Sequence, residues 1–236
     1  MAKPVGFDQK ILLHQLDFTL NEARRTKRKE MYEKLDEFLI DDIRGVKSRK
    51  NAATMLMKIW YLVNDDNKHL QENAFHLYPD LRNDERLVLH YGMTVLAYPF
   101  VKDLVREMGK LFKLQDEVTA QQISRIMKNL YGDRRRVEVA TSAVLMSLKS
   151  WGVISSGDKR HIYITGENLS IQATEVKKWL AEAIIRSSEG SSITLEELNS
   201  NSVFFPFDYT ISSSNLDDEY FRINRQGLDM IMVGVV

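Results

Sequence analysis

The amino-acid sequence predicts a mainly α protein in three regions: an N-terminal helical bundle over residues 1–98, a compact helix–helix–hairpin module over 99–166, and a small C-terminal α+β region over 167–236. Three observations predict it. From Ile11 to Trp151, apolar residues recur at the three- and four-residue spacing of helices with one buried face. Pro79, Pro99 and Gly132 punctuate those runs where a helix must stop or restart. Beyond Gly190 the pattern changes to short aromatic and β-branched runs, the composition of strands.

In chain order, Ile11, Leu12, Leu16 and Leu20 mark a first amphipathic helix, and Met31, Leu35, Phe38 and Leu39 a second. Asn51 to Val63, with Ala52, Ala53, Leu56, Ile59, Trp60 and Val63, is apolar on most sides and belongs at the centre of the bundle. A polar break at Asn64 to Asn67 precedes a shorter helix through Phe75. That helix ends near Tyr78-Pro79, because the residue before a proline is driven away from helical angles. Asp84 is placed to cap Glu85 to Tyr98. Pro99 opens the next helix, which runs to about Leu114 with Val101, Leu104, Val105, Met108, Leu111 and Phe112 as its inner face.

Glu117 to Gly166 carries the densest set of local signals. Thr119 followed three residues later by Gln122 is a capping box that starts a helix near Ala120. Ile123, Ile126, Met127 and Leu130 form its apolar stripe, and Gly132 ends it. Asp133 is placed to cap the following helix, whose buried face is Val137, Ala140, Val144, Leu145, Leu148 and Trp151. Val153 to Ser155 and Arg160 to Ile164 then read as two strands around Ser156-Gly157-Asp158. Two helices joined by a tight turn and followed by a hairpin are the outline of a winged helix-turn-helix. The second helix of such a module presents an unpacked face, on which Arg134, Arg135, Arg136, Ser142 and Lys149 are expected. The hairpin adds Lys159, Arg160 and His161. Arginine suits phosphate and the guanine edge through its planar fork, whereas lysine acts as a mobile point charge.

In the C-terminal region, Thr174 to Arg186 is a helix capped by Thr174, with Val176, Trp179, Leu180, Ala183 and Ile184 on one side. The serine-rich stretch Ser187 to Ser192 ends it. Ile193 to Asn199 is a short helix or turn begun by Thr194. Val203 to Phe207, Tyr220 to Asn224 and Met230 to Val235 read as strands. The nearly all-apolar Met230 to Val236 must be buried within its own domain or paired with another chain.

Net charge is zero, but unevenly distributed. Lys and Arg against Asp and Glu number 16 and 15 over residues 1–99, 12 and 7 over 100–166, and 5 and 11 over 167–236. The basic excess thus sits in the central module, where it favours a polyanion partner such as double-stranded DNA. A secondary basic cluster, Arg44, Lys47, Arg49 and Lys50, straddles Gly45 in an expected loop before Asn51. Arg24, Arg25, Lys27, Arg28 and Lys29 read instead as water-facing charges paired with Glu30 and Glu33.

Catalytic patterns are not found. There is no glycine-rich phosphate loop, nucleophile elbow or His-Glu-x-x-His motif. Pro79-Asp80 and Glu175-x-Lys177 do not form a convincing nuclease carboxylate set, and His69 and His76, although able to share a helical face, have no placed carboxylate. No enzymatic activity, metal or cofactor is expected. The absence of cysteine fits a reducing compartment. Met1 to Lys10 lacks the apolar core of a secretory signal, and no run of about 20 apolar residues exists to span a membrane, so a cytoplasmic protein is expected.

Tyr98-Pro99-Phe100, the helix to Leu114, Tyr131-Gly132-Asp133-Arg134 and Leu148-x-x-Trp151-Gly152-Val153-Ile154 resemble bacterial proteins with a helical front half and a winged helix-turn-helix. Across residues 20–160 the layout is also similar to the BrxA accessory proteins of BREX phage defence. That resemblance implies a non-enzymatic role with DNA contact through helix-turn-helix elements. The alternative is an interaction scaffold whose winged helix docks a protein partner or a second copy of the chain.

Overall fold

Five helices build the front half of the chain: α1 (Leu13–Ala23), α2 (Arg28–Phe38), α3 (Val46–Trp60), α4 (Lys68–Leu77) and α5 (Asn83–Ala97). The structure is a computed structural model describing residues 3–167, 169–216, 219–226 and 230–236. Along α5, Leu87, Val88, Leu89, Tyr91, Met93 and Val95 are all buried, as expected of a helix packed on every side. His90, also buried, is held at both ring nitrogens. Trp60 Nε1–H donates to its Nδ1 at 3.1 Å, and its Nε2 lies 2.9 Å from Asp17, which also accepts from the Tyr78 hydroxyl. Because an indole nitrogen only donates, Nδ1 is the acceptor and the ring proton sits on Nε2. Burial pushes the His90 pKa down against the opposing pull of Asp17.

The chain continues through α6 (Pro99–Phe112), β1 (Val118–Thr119), α7 (Ala120–Tyr131), α8 (Arg135–Ser150), β2 (Ile154–Ser156) and β3 (Ile162–Thr165). The C-terminal region adds β4 (Leu169–Ser170), α9 (Thr174–Ser187), β5 (Ser192–Thr194), α10 (Leu195–Asn199), β6 (Phe207–Asp208), β7 (Phe221–Gln226) and β8 (Met230–Val235). It lies against the helices. Trp179 of α9 donates to the Leu70 carbonyl of α4 at 2.9 Å, and its ring covers Gly92 so closely that a Cβ there would stand 2.6 Å from it. A 3₁₀ turn at Ser202–Phe204 rests on α6 at Gly109, where a Cβ would stand 2.0 Å from the Ser202 carbonyl oxygen. One apolar cluster, from Val5 to Val233, runs through all three regions.

The apolar strand β8 lies between β5 and β7, with Ile193, Val233 and Ile223 side by side in antiparallel register. Every residue of Met230–Val235 therefore pairs with β7, and Met232–Gly234 pairs with β5 as well, all within its own chain.

Several boundaries differ from the sequence expectation. α3 starts at Val46 rather than Asn51, so Lys47, Arg49 and Lys50 are helical. The caps placed at Asp84, Asp133 and Thr174 fall instead on Arg82, Arg134 and Ala173. In each case the expected cap already has helical geometry or precedes the last extended residue. Val203 to Phe207 forms a 3₁₀ turn followed by a two-residue strand, because Asn201 Oδ1 accepts from Val203 N at 2.9 Å and Pro206 has no N–H for a ladder. Thr194 both ends β5 and caps α10 through a box with Glu197.

Candidate nucleic-acid interface

α7 starts where the sequence places it. Thr119 Oγ1 accepts from Gln122 N at 3.1 Å, and Gln122 Oε1 accepts from Thr119 N at 2.8 Å. The helix is secured to α6 by the Tyr131 hydroxyl, which donates to Asp103 at 2.8 Å, while Arg106 holds the other oxygen of that carboxylate at 2.8 Å. Gly132 then turns the chain with φ +90°, a backbone angle that side chains rarely adopt. α8 packs Val137, Ala140, Val144 and Leu148 inward, and Trp151, which caps its C-terminus, is buried with them. β3 is the central strand of a three-stranded antiparallel sheet, order β1-β3-β2, with Thr119 opposite Ile162 and Ser155 opposite Ile164. The turn from β2 to β3 spans residues 157–161, longer than the sequence suggests, and His161 takes φ +65° there.

The N-terminal segment reaches across to this module. Ile11 N donates to Ser147 Oγ at 2.9 Å and Ile11 O accepts from Trp151 Nε1 at 2.9 Å, so the chain before α1 is bonded to the inner side of α8.

The eight expected contact residues separate into groups. Arg136, Ser142, Lys159, Arg160 and His161 are exposed, and among the described residues the three cations Arg136, Lys159 and Arg160 have no ion-pair partner. Lys149 donates to Ser156 Oγ at 2.6 Å, which joins the outer face of α8 to the end of β2. Arg135 is exposed but lies 3.2 Å from Glu138. Arg134 is occupied: its guanidinium donates to the carbonyls of Tyr131 (2.8 Å) and Lys3 (3.2 Å), and its buried Nε has no partner. Glu138 also binds Lys128 at 2.7 Å, and Lys128 reaches Asp133 at 2.9 Å. These bonds from Lys128 and Arg135 lower the Glu138 pKa, and those from Glu138 and Asp133 raise that of Lys128. Arg125, exposed on α7 beside Gln121 and Ser124, borders the same face. Its helical phase, opposite Ile123 and Met127, is the signal in the sequence that points to it.

The secondary cluster divides too. Arg49 is nearly buried, bonded to Asp36 at 3.0 Å and to the carbonyl of Arg44 at 3.0 Å, and so ties α2 to the start of α3. Arg44, Lys47 and Lys50 are exposed. In the Arg24 to Lys29 cluster, Lys29 approaches Glu33 only at 4.0 Å, and Glu30 pairs with Lys34, so the expected pairing is slight.

A cleft of about 270 Å³ lies between α4, α9 and β7, lined by His69, Asn73, His76, Glu175, Glu182 and Tyr220. His69 and His76 do share a face of α4, and the carboxylates that the sequence left unplaced come from α9. Glu182 is buried and bonded to both His69 Nδ1 (2.9 Å) and Arg186 (2.7 Å), and the His69 ring stacks on Tyr220. These groups satisfy one another across the joint between α4 and α9. No cluster of three or more metal-ligating side chains occurs among the described residues. No helix among them is long and apolar enough to cross a membrane.

Compared with known proteins, the chain matches no family model, no curated protein and no solved structure.

Proposed function

We propose that residues 99–166 are a winged helix-turn-helix and that the protein is a non-enzymatic, cytoplasmic DNA-binding accessory or regulatory factor. α8 enters the major groove of duplex DNA, and the β2–β3 turn lies along the adjacent phosphates. The observation that carries the reading is one continuous surface: Lys149 bonded to Ser156 links the outer face of α8 to a turn bearing unpaired Lys159 and Arg160. The order α6-β1-α7-α8-β2-β3, with β3 central in its sheet, supports it. The resemblance of the layout over residues 20–160 to BREX accessory proteins is what suggests a place in bacterial phage defence.

The electrostatics set a scale. Arg136, Lys149, Lys159 and Arg160 contacting about four phosphates correspond to a slope of log K against log salt of roughly −3.6, or about a hundred-fold loss of affinity between 50 and 200 mM salt. An electrophoretic shift on random duplex DNA across a salt series tests this. Replacing Arg135, Arg136 and Lys159 by alanine removes the binding with little change in thermal unfolding; undiminished affinity in that variant removes the surface. The competing scaffold reading draws on Glu138, which neutralises Lys128 and Arg135 at the start of α8. A stoichiometric protein partner recovered from the native host after nuclease treatment, with no DNA retained, favours the scaffold.

A further inference from the structure

The outer face of α8 contains a feature that phosphate binding does not use. At 3.6 residues per turn, Arg135, Val139, Ser142, Met146 and Lys149 fall within a sector of roughly 80°, opposite the buried stripe. Val139 is 38% and Met146 46% exposed, whereas their neighbours Val144 and Leu145 are nearly inaccessible. The stripe therefore has cations at its two ends, Arg135 paired with Glu138 and Lys149 bonded to the neutral Ser156 hydroxyl, and two apolar side chains in its middle, a turn either side of a serine. A helix shaped only by contact with phosphates gains nothing from valine and methionine at these positions, and leaving them in water is unfavourable. The patch is also small. Two side chains expose on the order of 200 Å² at most, against the roughly 800 Å² per partner of a stable protein interface.

In the major groove the apolar group available at a base edge is the C5 methyl of thymine, and apolar side chains are its natural contacts. Val139 and Met146 are about 10 Å apart along the helix axis, at roughly 1.5 Å per residue, a span of about three base steps. Placing α8 in the groove by its charged ends brings both side chains to the groove floor. We propose that Val139 and Met146 are specificity-determining residues that read C5-methyl groups, so that the protein favours thymine-containing tracts; the inference rests on the DNA-binding reading above.

The test compares duplexes that differ only in that methyl group: alternating poly(dA-dT) against poly(dA-dU), and poly(dG-dC) against its 5-methylcytosine counterpart. The methylated member of each pair binds more tightly, by about four-fold for one buried methyl and up to roughly fifteen-fold for two. Val139→Ala with Met146→Ala, or Val139→Ser with Met146→Gln, abolishes the preference while leaving the salt slope and the thermal transition unchanged, because both positions are exposed. Equal binding of the methylated and unmethylated duplexes by the wild-type protein overturns the proposal, as does a preference that survives in both double variants. Absence of binding to any of the four duplexes at low salt overturns the DNA-binding reading itself, and the methyl reading with it.

Discussion

Gly109→Ala separates two opposing physical effects whose sum has a definite sign. In an exposed helix the substitution stabilises by up to about 1 kcal/mol, because alanine restricts the unfolded chain and favours helical geometry. On α6 the new Cβ would stand 2.0 Å from the Ser202 carbonyl oxygen and 3.0 Å from Phe205 Cβ. The close neighbour is backbone, not the end of a flexible side chain, so the 3₁₀ turn at Ser202–Phe204 must move by about 1 Å, with an overpacking cost of typically 1–3 kcal/mol. That turn also bears the Val203 carbonyl, which accepts from the buried Tyr91 hydroxyl at 2.6 Å, and weakening the bond costs roughly another 1 kcal/mol. The net effect is destabilisation by about 1–3 kcal/mol, which at a slope of roughly 2–4 °C per kcal/mol lowers Tm by about 2–12 °C. Urea unfolding followed by far-ultraviolet circular dichroism, with thermal melts alongside, measures it. A Tm equal to or above that of the wild type would falsify the close docking of the C-terminal turn on α6.

Other expectations follow from the same geometry. His90 has a folded-state pKa below its unfolded value near 6.5 through burial, so the unfolded chain binds the extra proton first and stability falls as pH drops below about 6.5. Denaturant midpoints between pH 5 and 7.5 should show this fall, and His90→Gln should flatten it; an unchanged pH profile in the variant rules the histidine out as its source. Arg134→Ala and Arg136→Ala should act in opposite ways. The first loses the bonds to the Tyr131 and Lys3 carbonyls and lowers stability by about 1 kcal/mol at an unaltered salt slope. The second leaves Tm in place and makes the slope shallower by about one unit. Glu138→Gln releases Lys128 and Arg135, so duplex affinity should rise and its salt dependence steepen; weaker binding would show that Glu138 orders the contact surface instead of masking it.

Elements with a strong local signature were legible in the sequence. The Thr119–Gln122 box set the start of α7 to the residue, because both its hydrogen bonds close within three positions. Met230–Val235 and most of β7, at Tyr220 to Asn224, were legible as strands, though β5 and the order in which the three pair were not, since pairing depends on register across distant segments. Val203 to Phe207 has the aromatic content of a strand, but an asparagine cap and a proline together outweigh it. The candidate interface was only half legible. Arg134, Arg135 and Arg136 are indistinguishable as a string of three, yet one binds backbone carbonyls, one pairs with Glu138 and one is open to solvent.

Hydrophobic periodicity and prolines by themselves determined most of the helices, since these depend on neighbours within a turn or two of the chain, and composition alone determined the basic excess of residues 100–166. Only the tertiary structure decided which charges are available to a partner. Arg49 is withdrawn by Asp36, Lys128 by Glu138, and the inner side of α8 is clamped by Ile11 from 136 residues away. Whether a charge is free depends on what the folded chain brings within about 4 Å of it, and that distance is set by packing across all three regions rather than by sequence spacing.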